Sequence, residues 1–86
     1  MEIKMLKKEY TVIYEPAEEG GYIVHIPILN GLATQGETLE EARAMAKDAI
    51  KCYIESLQEL NLPIPDDTIN AQPSVLNLEK LAISLP

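Results

Sequence analysis

Residues 15–41, EPAEEGGYIVHIPILNGLATQGETLEE, hold the fold of this chain in miniature. Pro16, Ala17, Glu18 and Glu19 interrupt an extended segment, and Gly20-Gly21 supplies the positive φ that a chain reversal needs. The next residues, 22–26, alternate as YIVHI and predict a strand. Pro27 ends it because it cannot donate to a sheet ladder. Asn30-Gly31 is a strong turn pair, so residues 32–35 form a short edge strand. Thr38 with Glu41 three residues later has the pattern of a capping box, each residue satisfying an orphan donor of the other.

Outward from this stretch, residues 10–15 alternate Tyr10, Val12, Tyr14 against Thr11, Ile13, Glu15, predicting a first strand that pairs antiparallel with 22–26. Downstream, Ala42, Ala46, Ala49, Tyr53, Leu57 and Leu60 recur every three or four residues and define the apolar face of a helix. The helix ends near Leu60, with Asn61 as a left-handed cap and Pro63 forbidding continuation. Residues 62–74, with Pro63, Pro65 and Pro73, form an arm or linker. Leu81, Ile83 and Leu85 alternate with Ala82 and Ser84 as a last strand, which belongs in a sheet of its own chain or of a neighbour's. The fold class is α+β: a three-stranded antiparallel sheet packed on one long helix, plus a C-terminal strand. Residues 1–67 carry the sheet-and-helix unit and 68–86 the arm and terminal strand of the same single domain.

Composition bounds what this unit does. At 86 residues with 47% hydrophobic content, the chain supports one small core. It has no Trp or Phe and four Tyr, so the core rests on aliphatic residues with tyrosines at its margins. So small a core favours a homo-oligomer. A net charge of −7 repels phosphate backbones and suits a basic partner. The single cysteine, Cys52, forms no internal disulfide and is expected as a small buried hydrophobe of the helix. Without an apolar leader or a membrane-length apolar run, the expected location is the cytoplasm.

Catalytic sets are hard to assemble. His25 is the sole histidine and falls mid-strand, opposite in facing to Tyr22 and Val24, where a half-buried structural residue is expected. Nothing in the pattern activates Cys52. Glu15, Glu18 and Glu19 lie at a turn, where carboxylates stay solvated, and residues 22–35 contain none. Gly20-Gly21 precedes a strand rather than a helix and so cradles no phosphate. Lys4, Lys7 and Lys8 are expected as a solvated N-terminal segment, too short for a nucleic-acid footprint. No catalytic residue, metal ligand or cofactor is expected. Glu18, Glu19, Tyr22 and His25 cluster around the hairpin and are the candidate partner-binding residues.

The order of elements resembles the HicB-like antitoxins. The matching residues run through Tyr10-Thr11-Val12-Ile13, Glu15-Pro16, Glu19-Gly20-Gly21-Tyr22, Pro27, Leu29, Gly31 and Thr34-Gln35-Gly36. They continue through Thr38, Glu40-Glu41-Ala42, Ala46 and Ala49-Ile50 to Pro63-Ile64-Pro65. Asn30 and Leu32 depart from the family, which usually has Pro and often Cys there. The resemblance implies a partial, catalytically degenerate RNase H-like fold. It also implies a type II antitoxin that occludes a small basic HicA-like toxin, an mRNA-cleaving ribonuclease. Many such antitoxins carry a DNA-binding domain after this unit. Residues 80–86 resemble only its opening strand, so DNA binding and autorepression are not carried over. Two other readings stay open: an orphan oligomeric scaffold without a toxin, and a cryptic metal-dependent nuclease.

Overall fold

A computed structural model describes residues 6–69 and 78–85. The order is β1 (Leu6–Pro16), β2 (Tyr22–Ile26), β3 (Leu32–Gly36), α1 (Leu39–Glu59) and β4 (Leu78–Leu85). The strands form one antiparallel sheet in the order β3-β2-β1-β4, with α1 packed on one face. The α+β expectation holds, and the terminal strand joins the chain's own sheet as a fourth member.

Local sequence accounts for the corners. Asn30 and Gly31 both take positive φ, 57° and 71°, and Leu32 N–H bonds the Leu29 carbonyl across them at 3.1 Å. Thr38 is extended and its hydroxyl accepts from Glu41 N–H at 3.1 Å, as a helix N-cap does. The reciprocal half of the expected capping box is displaced by one residue. Glu41 Oε1 receives Glu37 N–H, at 3.4 Å, rather than that of Thr38. Asn61 at φ 55° closes the other end, and Leu62 N–H returns to the Leu57 carbonyl at 2.9 Å.

The core differs from the expected one in three ways. Tyr10 and Tyr14 are buried rather than marginal. Each keeps its ring inside by finding its hydroxyl an acceptor: Pro65 O for Tyr10 at 2.8 Å, and Glu79 for Tyr14. Tyr22 and Tyr53 do lie at the margin. On α1 the buried row is Ala42, Ala46, Ile50 and Ile54, while Tyr53 and Leu57 only flank it and Leu60 is 68% exposed. An i, i+4 row slants across the helix axis, so the helix crosses the sheet along that ridge rather than along the straight stripe through Ala49 and Leu60. Cys52 is the third correction: it lies exposed on the far side of α1.

Residues 62–69 of the arm pass beside β1, and its residues 70–74 lie outside the described residues. Because β2 pairs β1 only from Ile13 to Pro16, the N-terminal half of β1 has β4 on one side and no strand on the other. Ile64 packs on the core there, Asp66 accepts from Lys8, and Asp67 accepts from the backbone of Thr11. Thr11 is therefore buried although its strand face is otherwise open. Lys7 and Lys8 are strand residues with a defined register, not a solvated tail, and Lys4 lies outside the described residues. Among the described residues no helix is long and apolar enough to cross a membrane.

Candidate partner-binding surface

The β1–β2 turn closes through Ala17 N–H to the Gly21 carbonyl, at 3.0 Å, and Gly20 N–H to the Ala17 carbonyl, at 3.1 Å. Gly21 sits at φ 75°, and a Cβ there would stand 2.7 Å from Gly36 O. Gly36 in turn has Ala42 backbone against it, its Cα 2.6 Å from where a Cβ would sit. These two glycines let the turn, the end of β3 and the first turn of α1 converge.

Their convergence frames a groove of about 810 Å³. Glu15 comes from the end of β1, Glu18 and Glu19 from the turn, and Glu37 and Glu41 from the β3–α1 junction. Tyr22, Ile23 and Met45 supply apolar surface, and Ile23 and Met45 are among the few exposed large hydrophobics, at 37% and 40%. Among the described residues no Lys, Arg or His lines the groove. Five carboxylates around a partly apolar floor set up a negative potential with a place for a carbon stem.

Of the four residues singled out in the sequence, Glu18, Glu19 and Tyr22 line this groove. His25 does not; it points from the open face of the sheet, with Nε2 2.9 Å from Glu15 Oε2. Glu15 alone belongs to both places. Sequence reasoning took Glu41 as a helix-capping acid and singled out neither Glu37 nor Met45 for binding. The signal available was the pair Gly21 and Gly36, whose missing side chains draw the three elements together.

The surroundings do not assemble a nucleophile. Cys52 is exposed on α1, and His25 faces the opposite side of the sheet, so the sheet separates them. Among the described residues no group of three His, Cys, Asp or Glu is placed to hold a metal ion. A second charged cluster joins Tyr14, Glu79 and Arg43, where Arg43 Nε donates to Glu79 Oε1 at 2.8 Å. It ties β1, β4 and α1 together. Burial and the bond to Glu79 push the Tyr14 phenol well above its ordinary pKa, so it remains a neutral donor.

Residues 10–81 match the HicB-like antitoxin family of bacterial toxin–antitoxin systems, in line with the resemblance drawn from residues 10–67. A UPF0150 protein of Thermoplasma acidophilum is 49% identical over 59 residues, covering 69% of this chain and 86% of that protein. Antitoxin HicB of Escherichia coli K12 is 39% identical over 77 residues, covering 90% of this chain. The match takes in 51% of that antitoxin, about half its length. Among solved structures, a toxin–antitoxin complex from Streptococcus pneumoniae shares the fold, with a TM-score of 0.69 at 18% identity. The alignment covers 96% of this chain and 70% of that one.

Proposed function

This chain belongs to the HicB-like antitoxin family, and from that premise we propose that it neutralises a small, basic HicA-like ribonuclease by covering its working surface, with no catalysis of its own. The observation that carries this reading is the groove at the β1–β2 turn, with five carboxylates, no cation among the described residues and a partly apolar floor. Such a surface attracts a cationic protein over distance and then holds the stems of its Lys or Arg side chains. Glu18, Glu19 and Tyr22 make that contact, and His25 extends it onto the open sheet face through Glu15. The toxin's own function needs cations to hold RNA, and an acidic surface seated on them competes directly with the phosphate backbone. The encounter takes place in the cytoplasm, where the mRNA is.

Co-expression with a HicA-like protein encoded beside this gene tests the reading. Relief of toxicity and co-purification of the pair are expected, and the Glu18→Lys, Glu19→Lys double variant should lose both. Persisting toxicity with no complex refutes the antitoxin role. Rescue unaffected by the double variant keeps the role but removes the groove from it.

A further inference from the structure

We infer that His25 makes partner binding pH-sensitive: proton uptake by its imidazole loosens the hold of the groove on a basic protein, which rests on the antitoxin reading above. His25 Nε2 stands 2.9 Å from Glu15 Oε2, and Glu15 is one of the five carboxylates lining the groove. The groove and the open sheet face therefore meet at a single hydrogen-bonded pair. Both side chains reach solvent, His25 at 41% exposure and Glu15 at 59%, so the imidazole exchanges its proton with bulk water while it is paired.

Ile13 of β1 and Ala33 of β3 stand directly opposite His25 and share its face. Flanking it on that face are Thr11 and Glu15 of β1, Gln35 of β3 and Ile23 of β2 itself. Lys7 and Glu9 lie farther along the same face of β1. From the arm, Asp67 comes over Thr11 and is already paired with Lys80. The charges of α1 belong to the opposite side of the sheet. Among the described residues, Glu15 is the charged group that contacts His25.

Imidazole is the side chain whose ordinary titration falls between about pH 5 and 8, and His25 is the sole histidine of this chain. Its protonation acts on a bound cation in two ways of the same sign. The new charge cancels part of the field of Glu15, and it repels the Lys or Arg heads seated beside that carboxylate. Proton and basic partner thus oppose each other, and the opposition is reciprocal. At an exposed rim it amounts to a few-fold in affinity and fades with salt.

Dissociation constants of the complex with the HicA-like protein encoded beside this gene, taken at low salt and at two pH values, about 7.5 and 5.5, test this on the full chain. His25→Gln fixes the position neutral and His25→Lys fixes it charged. Every other titrating group, the toxin's included, is common to parent and variants. The rise in dissociation constant on going to the lower pH should be about threefold larger in the parent than in His25→Gln. At the higher pH, His25→Lys should bind about threefold more weakly than His25→Gln. An equal or smaller rise in the parent overturns the inference, as does His25→Lys binding as tightly as His25→Gln. Failure of the parent to form any complex at the higher pH refutes the antitoxin reading and the pH dependence with it.

Discussion

The Asp67 carboxylate accepts both the backbone N–H and the hydroxyl of Thr11, at 2.7 and 2.5 Å. β2 stops at Ile26 and Pro27 has no N–H to offer, so beyond that point β1 lacks a strand neighbour on this side. A side chain from the arm, 56 residues downstream, takes the place of a strand acceptor. Lys80 of β4 closes the same carboxylate from the other side, and Asp67 is left with 3% side-chain exposure. One residue thereby fixes the path of the arm, the edge of β1 and the position of β4.

Asp67→Ala should destabilise the fold by about 2–3 kcal/mol, because it orphans two donors of a fully buried Thr11. Asp67→Asn should cost less, since its amide oxygen remains an acceptor. Urea unfolding midpoints of the two variants and the parent measure the order.

Stability should fall in acid through Asp67 and Glu79. Burial pushes the Asp67 carboxyl up, but the bonds from Lys80, Thr11 and the Ile69 backbone outweigh it and hold it below its ordinary 3.8. Burial likewise opposes, and Arg43 and Tyr14 overcome, the shift of Glu79 below 4.5. A carboxylate whose pKa is lower folded than unfolded contributes stability above the unfolded value and loses it as pH falls through the folded one. The loss therefore begins as pH falls into the range 3.8–4.5 and continues below it, and not at neutrality. Unfolding midpoints followed from pH 7 downward should show a shallower acid slope in Asp67→Asn than in the parent.

Gly36→Ala should be among the most damaging single changes, at about 3 kcal/mol or more, because its Cβ meets the backbone of Ala42 rather than a side chain able to move. Gly31→Ala, with open space around its Cβ position, should lose only the strain of its positive φ. Thermal melts of the pair separate steric from conformational cost.

Thr38→Ala should cost about 1 kcal/mol by removing the acceptor of Glu41 N–H. Loss of helix stability should appear as a lower melting midpoint with little change in the native spectrum.

Cys52 should label with a maleimide in the native protein as readily as in denaturant, because its side of α1 faces solvent. Strong native protection would return it to the core.

The strands, the Asn30-Gly31 corner, the Thr38 cap and the length of α1 were legible in the sequence because each depends on residues within a few positions of one another. Periodicity of two, glycine at positive φ and a hydroxyl at a helix start are local facts of backbone sterics and hydrogen bonding. The family signature in residues 10–67 is built from those same local residues, and so it too could be drawn from sequence alone.

What the tertiary structure decided lies at longer range. Which of two adjacent apolar rows on α1 is buried depends on the angle at which the helix crosses the sheet, and both Ile50 and Ala49 satisfied the period. The burial of Thr11 depends on Asp67, and the burial of Tyr14 on Glu79 and Arg43. The candidate groove exists because two glycines far apart in sequence, Gly21 and Gly36, bring three acidic segments together. Sequence supplies the side chains and their local geometry; only the folded chain brings distant ones within a hydrogen bond or a van der Waals contact, and both interactions vanish beyond a few ångströms.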